Sequence, residues 1–225
     1  VYKLKLKGTG PIEYHLGCNF TRDLDGVLCM SPTKYIERMI DTYYHMFGEK
    51  PKTMYTSPLE KGDHPELDTS DELDMDGIKK YQSLIGALQW VITLGRFDVA
   101  TAVMTLSSFR ANPRTGHLDR AKRIYGYLSK MKHGAIRFRV GEPDYSGIHI
   151  QEYDWERTVY GEVEEIIPYD CPIAKGHPVV ITTYVDANLC HDMLTERAVT
   201  GVLHIANQTI LDYYTQKQPI ADSAT

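Results

Sequence analysis

Asp186 is the residue whose type and setting point most directly to chemistry, because it interrupts the apolar run 179-VVITTYVDANLCHD-192. The run predicts a strand, and a carboxylate buried in a strand costs free energy unless a partner compensates for its charge. Where phosphodiesters are cut, the compensating charge is usually a divalent metal, and several carboxylates surround two ions. Asp186 is therefore a candidate metal ligand; the alternative is a turn or edge Asp satisfied by backbone donors. Since no completing carboxylates follow before Thr225, we expect the chain to be a fragment.

Two other groups of residues could do chemistry, but each lacks a necessary partner. The four cysteines are widely spaced and form no Cys-x-x-Cys pair, so in a chain without a signal peptide they predict reduced, buried thiols. His15 has no neighbouring acid or nucleophile that would make it a general base. A zinc site is conceivable, although paired ligand spacing is missing. Its ligands would be Cys171, His177, Cys190 and His191.

Charge lies in blocks along a chain whose formal net charge is −5. Residues 96–139 contain ten Lys or Arg and two Asp or Glu, whereas residues 60–76 contain eight acidic residues and one Lys. Residues 142–170 contain nine acidic residues and one Arg. The basic block could be a phosphate-facing surface, or a set of solvated helix faces paired with acidic loops, which the charges alone favour. The outward-facing candidates for phosphate contact are Arg120, Lys122 and Arg123.

The first sixty residues predict short strands followed by one helix. Alternation of polar and apolar residues predicts strands at 1–7, 12–23 and 27–30. Ser31 as N-cap and Pro32 at the first helical position begin a helix that Gly48 ends. A connector with two prolines follows at 49–62 and leads into an exposed acidic loop.

Helical periodicity dominates the middle of the chain. Asp76-Gly77 opens a first helix, and Asp98 can cap a second. Gly86 lies on the first helix, and two interpretations are open: its missing side chain lets another helix approach closely, or it is a tolerated glycine at a cost of ~1 kcal/mol. A third helix ends at Gly134.

The remainder of the chain predicts strands and one long linker. A strand at 135–140 precedes an acidic, aromatic linker at 141–177. Three strands follow at 179–187, 199–206 and 209–216, with a tight turn between the last two. The whole order predicts an α+β protein with an N-terminal β-hairpin and helix, a central helical block and a C-terminal three-stranded antiparallel sheet. Candidate core residues of that sheet are Val185, Val202, Leu203, Ile205 and Ile210.

Several motifs occur in one order along the chain. The helical block carries 81-YQSLIGAL-88, 96-RFDV-99 and 117-HLDRAKR-123, preceded by 14-YHLGCNFTRDLDG-26, 31-SPTKYIERMI-40 and 56-TSPLEKG-62, and followed by 184-YVDANLCHDMLTERAVTG-201. Together they resemble the C-terminal part of the Pol polyprotein of copia-class long-terminal-repeat retrotransposons. Phe97 replaces the Pro that is usual in this family.

The resemblance implies a division of the chain and roles for named residues. It implies that Asp186 is the first of about four ribonuclease H carboxylates that bind two Mg²⁺ ions. It also implies that the hairpin residues Tyr14, His15, Leu16 and Gly17 hold the primer end. The implied segments are the end of the reverse transcriptase palm and the thumb at 1–62, a helical thumb or connection region at 63–140, the linker at 141–177, and a truncated ribonuclease H-like domain at 178–225.

The function implied by the resemblance is that of a fragment of a reverse transcriptase/ribonuclease H polyprotein, an RNA-directed DNA polymerase. We expect the fragment to lack most catalytic carboxylates and to bind no Mg²⁺ tightly, although the parent enzyme would use Mg²⁺. Expected partners are an RNA or DNA template-primer and the remainder of the Pol polyprotein, in an intracellular setting without a membrane. The alternative is a non-catalytic nucleic-acid-binding or interaction remnant of a transposable element.

Overall fold

A computed structural model describes most of the chain. The described residues are 10–147 and 178–219, together with Asp154, Arg157, Ile166, 168–173 and Gly176. The strand predicted at 1–7 and most of the predicted linker lie outside them.

The described part contains four α-helices and seven strands. The strands are β1 (Tyr14–His15), β2 (Cys18–Arg22), β3 (Leu28–Ser31), β4 (Ile136–Arg137), β5 (Ile181–Asp192), β6 (Arg197–Ala206) and β7 (Thr209–Lys217). The helices are α1 (Thr33–Phe47), α2 (Met75–Thr93), α3 (Ala100–Ser107) and α4 (Thr115–Lys130). Among them no helix is long and apolar enough to cross a membrane.

The strands form two antiparallel sheets, with orders β1-β2-β3-β4 and β5-β6-β7. The strand expected at 12–23 is two short strands, because the chain reverses at Leu16-Gly17. The strand expected at 135–140 is only β4, which pairs with β3.

One hydrophobic core joins all four helices. Its residues recur at helical spacing, so the apolar stripes expected for α1, α2 and α4 are confirmed. The Tyr81 hydroxyl, buried in this core, donates a hydrogen bond to the Leu106 carbonyl oxygen at 2.6 Å. The largest fully buried side chains include Tyr81, Ile36, Leu84, Ile85, Leu88, Leu106, Ile124 and Leu128.

The helix ends differ from those expected in four places. Helix α4 ends at Lys130 rather than at Gly134. Pro32 rather than Ser31 precedes α1, and α2 begins after Asp74, whose carboxylate accepts a hydrogen bond from the Gly77 amide at 2.7 Å. Asp98 does not cap α3, because its carboxylate is bound by the Arg96 guanidinium at 2.7 and 2.9 Å. The stop at Gly48 is confirmed, with the left-handed φ of 73° that favours glycine.

Of the two interpretations of Gly86, the close helix approach is wrong and the tolerated glycine agrees with the structure. Gly86 is exposed, and a Cβ there would meet no atom within 4 Å. The close approach occurs at Gly126 on α4, where a Cβ would lie 2.0 Å from the Lys52 carbonyl oxygen. The connector therefore runs directly across α4 at a position that only glycine allows.

The core expected for the second sheet is also wrong in part. Val185 pairs with Val202, and Leu203 pairs with Tyr213. Because neighbouring residues of a strand point to opposite faces, Val202 and Leu203 cannot share one core. Leu203 and Tyr213 share one face, and Tyr213 packs on the helical core, with its ring centroid 4.9 Å from that of Phe97. Val185, on the other face, is 68 % exposed.

The turn expected at Asn207-Gln208 is confirmed, and it ties the second sheet to the rest of the chain. Asn207 adopts φ 52° and is buried, and its side-chain amide donates to the Val140 carbonyl oxygen at 2.8 Å. The buried Thr209 hydroxyl accepts a hydrogen bond from the Arg139 amide at 2.7 Å. The segment after β4 is thereby bonded to the β6–β7 hairpin.

Candidate nucleic-acid interface

The hairpin between β1 and β2 presents Leu16 in an unusual conformation. Leu16 and Gly17 both have positive φ, 49° and 95°, which is the type I′ arrangement of a two-residue hairpin turn. A Cβ at Gly17 would also lie 3.2 Å from Leu94 Cδ1, so a larger residue would require a small shift of the Leu94 side chain. A leucine at positive φ costs about 1–2 kcal/mol. This leucine is nevertheless 73 % exposed, so burial of its side chain within this fold does not explain its presence.

Basic side chains of α1 surround the hairpin. Lys34 Nζ lies 5.2 Å from the ring centroid of Tyr14, and Arg38 donates a hydrogen bond to the Tyr14 hydroxyl at 3.2 Å. The Lys34 amide donates to the Asn19 side chain at 3.2 Å, which fixes the helix against β2. We call Tyr14, Leu16, Lys34 and Arg38 the hairpin patch; all four are exposed.

The hairpin patch unites residues from two sequence segments, and only one of the segments was anticipated. His15 and Gly17 belong to the same hairpin, with His15 exposed beside Tyr14. Lys34 and Arg38 were missed as site residues. Their spacing of four on the helix that follows the hairpin is the signal that could have found them, because residues four apart share one helix face.

The first predicted phosphate contact on α4, Arg120, is bound by the acidic segment 60–76, which we call the acidic connector. Its guanidinium binds Asp63 at 2.8–3.0 Å and Asp68 at 2.5 Å. Burial acts to raise the pKa of Asp68, but hydrogen bonds from Ser70 and Arg120 and the charge of Arg120 together lower it to about 2. The two carboxylates likewise raise the pKa of Arg120 above its ordinary value. These charges are neutralised within the chain.

The other two predicted contacts differ from each other. Arg123 binds the Glu60 carboxylate at 2.6 Å, so it too faces the acidic connector. Lys122 Nζ lies 4.5 Å from the Phe47 ring centroid and makes no ion pair among the described residues. Arg120 and Arg123 thus fit the alternative in which helix charges pair with acidic loops. Lys122 remains available to bind an external anion.

Asp186 does not occupy the buried position expected from its apolar surroundings. It lies on β5, an edge strand of its sheet, opposite Gly201 of β6, and it is exposed. A cavity of about 380 Å³ beside it is lined mainly by apolar and aromatic side chains such as Phe97, Tyr184 and Tyr213. Within the described part of the chain no three His, Cys, Asp or Glu side chains form a group that could hold a metal ion. A single carboxylate does not supply the oxygen set of a two-metal site.

The cysteines and the conceivable zinc ligands are only partly described. Cys18 and Cys29 are buried free thiols as expected, whereas Cys171 is exposed. His177 and the side chain of Cys190 lie outside the described residues. His191 interacts with the Asn188 amide at 3.0 Å, and its ring centroid lies 6.3 Å from that of His64.

Comparison with known proteins relates the chain to proteins of transposable elements. The chain is 28 % identical over 185 residues to a Ty5-1 transposon protein of Saccharomyces cerevisiae. The aligned residues cover 78 % of this chain and 52 % of the relative. It is 28 % identical over 144 residues to the retrovirus-related Pol polyprotein from transposon TNT 1-94 of Nicotiana tabacum, covering 63 % of this chain and 11 % of the relative. The chain is a homologue of retrotransposon proteins. This retrotransposon homologue matches no protein-family model and no solved structure.

The retrotransposon homologue spans about half of the first relative and about a tenth of the second. Both relatives are named as transposon proteins, and one of them as a Pol polyprotein.

Proposed function

We propose that this chain is part of a retrotransposon reverse transcriptase that carries a ribonuclease H domain, and that its hairpin patch holds the end of a nucleic-acid strand. The observation that carries the proposal is Leu16, an exposed leucine at φ 49°. A strained and exposed apolar residue persists where the strain serves a contact. Homology to a Pol polyprotein supports nucleic acid as the partner.

The chemistry of the hairpin patch suits a template-primer. Lys34 and Arg38 supply positive charge for phosphates, and phosphate contacts need no particular base sequence. Leu16 and the Tyr14 ring offer an apolar surface for a sugar or base, as in other proteins that bind single strands. Because Asn19 and Tyr14 hold α1 against the hairpin, the charged and apolar parts keep a fixed spacing.

In the proposed parent enzyme, Mg²⁺ would neutralise charge during polymerisation and hybrid cleavage. Asp186 would be the one residue of the described part that could join such a site as the first ribonuclease H carboxylate. The remaining acids would come from other parts of the Pol polyprotein.

Leu16→Asn tests the proposal by separating stability from binding. Asparagine tolerates positive φ and Asn-Gly is a favoured type I′ turn, so the free energy of unfolding should rise by up to about 1 kcal/mol. Affinity for a primer-template should nevertheless fall, about threefold to tenfold. Urea unfolding and fluorescence anisotropy measure the two effects. Unchanged affinity in a more stable protein would exclude the hairpin tip as a contact.

Charge reversal provides a matched comparison for the phosphate contacts. Lys34→Glu should weaken binding and reduce the slope of log K against log salt concentration by about 1. Lys61→Glu makes the same change in net charge at an exposed lysine between Glu60 and Asp63, and it should change the slope little. Equal effects of the two variants would show that only net charge matters.

A second candidate function is nucleic-acid binding without chemistry. It is favoured by the position of Asp186, which is exposed on an edge strand with no metal-binding cluster among the described residues. On this alternative the purified chain binds duplexes but leaves an RNA–DNA hybrid uncut in Mg²⁺. Cleavage that Asp186→Asn abolishes would overturn the alternative and support the enzyme.

A further inference from the structure

The connector at 49–62 carries a serine whose surroundings suit a phosphate. The segment 55-YTSPLEK-61 has no helix or strand and runs beside α4. Ser57 is half-buried, Thr56 and Lys61 are exposed, and Pro58 follows Ser57 directly. A Ser-Pro pair in an irregular surface segment is the kind of sequence that proline-directed protein kinases act on.

The Ser57 hydroxyl already contacts a cation. It donates a hydrogen bond to the Leu59 carbonyl oxygen at 2.7 Å and accepts one from Arg123 Nη2 at 3.3 Å. The second distance is long for a hydrogen bond that involves a charged donor. The Ser57 oxygen is therefore close to the guanidinium group but does not satisfy all of its hydrogen-bond donors.

Arg123 is held in place with one donor unused. Its Nη1 binds Glu60 at 2.6 Å, and its guanidinium lies 4.5 Å from the Tyr55 ring centroid. Its Nε is buried and has no hydrogen-bond partner in the described part of the chain. A buried donor without a partner is uncommon and costs free energy. Nε and Nη2 share one edge of the guanidinium group, and Nη2 is the atom that contacts Ser57.

We propose that Ser57 is a phosphorylation site and that Arg123 binds the phosphoserine. A protein kinase would transfer the γ-phosphoryl group of ATP to Ser57 Oγ, breaking the bond to the β-phosphate oxygen, releasing ADP and passing the hydroxyl proton to the kinase base. Phosphate oxygens would then accept hydrogen bonds from Nε and Nη2 together, the paired geometry that guanidinium groups favour. The hydroxyl's bond to Leu59 is lost, and the exposed Glu60 carboxylate moves into solvent because it would face a second negative charge.

Ser31 supplies a natural comparison, because Pro32 follows it in the same way. Ser31 lies in β3, paired with Asn19 of β2, and its hydroxyl is 3.0 Å from the Thr33 hydroxyl. Pro32 is fully buried. A kinase could bind this Ser-Pro pair only if β3 first separated from β2. The fold should therefore protect Ser31 and leave Ser57 accessible.

The first experiment maps phosphorylation of the folded chain. The probe is a proline-directed kinase that labels two synthetic peptides, covering 26–36 and 52–62, at similar rates. With ATP and Mg²⁺ it should label Ser57 in the folded protein and leave Ser31 unlabelled, as read by mass spectrometry of the peptides. Ser57→Ala should abolish the label, whereas Ser31→Ala should leave it unchanged. No label on Ser57, or equal labelling of Ser31, would overturn the proposal.

The second experiment tests the role of Arg123. Phosphorylation should raise Tm by about 2–4 °C, because the charge-assisted bonds from Nε and Nη2 should outweigh the lost contacts to Leu59 and Glu60 by about 1 kcal/mol. In Arg123→Lys, which keeps the charge but loses the paired donors, the rise should fall by at least half. ³¹P NMR should place the second pKa of the phosphoserine below its ordinary value of about 6 and return it toward that value in Arg123→Gln. A Tm that falls on phosphorylation, or a pKa that Arg123→Gln leaves unchanged, would overturn the proposed binding.

Discussion

At the scale of single residues, Arg120 and Lys122 show how neighbouring charges on one helix acquire different roles. Arg120 is largely enclosed, with its side chain 22 % exposed against Asp63 and Asp68. Lys122 packs its ammonium over the Phe47 ring and has no carboxylate partner in the described part of the chain. Arg120 therefore attaches the acidic connector to α4, while Lys122 contributes charge to the surface.

We predict that Arg120→Ala is far more destabilising than Lys122→Ala. Removing Arg120 leaves two partly buried carboxylates without their cation, which should cost about 2–4 kcal/mol. Removing Lys122 loses one cation–π contact, worth about 0.5–1 kcal/mol. Urea unfolding of both variants measures the difference. Similar losses would mean that other contacts attach the acidic connector, and that Arg120 is free to bind phosphates.

At the scale of elements, two helical glycines differ in what surrounds them. Gly86 on α2 has open space where a side chain would stand. Gly126 on α4 is buried, with the Lys52 carbonyl oxygen and the Tyr55 ring against it. Gly126 thus sets the distance between α4 and the connector that carries Ser57.

We predict opposite effects of alanine at these two positions. Gly86→Ala should stabilise the protein by about 0.5–1 kcal/mol, because alanine loses less backbone entropy in a helix. Gly126→Ala should destabilise it by about 1–3 kcal/mol, because the backbone of the connector must move. Thermal unfolding of the pair checks both signs. A stabilising Gly126→Ala would contradict the close packing of connector and helix.

At the scale of the whole molecule, the second sheet rests on the helical core through one face. Tyr213 packs against Phe97, and α3 contacts β7. The buried Asn207 and Thr209 bind the segment after β4 from the hairpin end. The Tyr213 face of this sheet is therefore covered by the helical core, whereas its other face includes the exposed Val185.

We predict a graded pattern of amide hydrogen exchange. The helices between 78 and 130 should exchange slowest, because their stripes form the core. Strand β6, bonded on both sides, should exchange more slowly than the edge strand β5. Phe97→Ala should speed exchange in β6 and β7 more than in α2, whereas Trp90→Ala, at an exposed aromatic on α2, should not. Uniform acceleration in the Phe97 variant would mean that sheet and helices unfold as one unit.

Local patterns predicted much of the secondary structure and part of the hairpin patch. The periodicity of α1, α2 and α4 and the turn at Asn207 are evident in the sequence, because helix stripes and tight turns depend on residues a few positions apart. The predicted helix ends were less accurate. Asp98, for example, has a side chain suited to capping a helix but binds Arg96 instead. The resemblance to retrotransposon Pol proteins is likewise carried by short local motifs, and homology to such proteins is established.

Tertiary structure decided which side chains are free to act. Arg120 meets Asp63 across 57 positions, and Arg123 meets Ser57 across 66, so no local pattern could show that the basic block is partly neutralised or that one arginine has an unused donor. Tyr14 joins Arg38 by the packing of a hairpin on a helix. Asp186 is exposed because β5 lies at the edge of its sheet, and strand order is set by long-range pairing. The sequence therefore determined the helices and strands and the side chains that they carry. Long-range packing determined which charges bind each other and which remain available to a ligand.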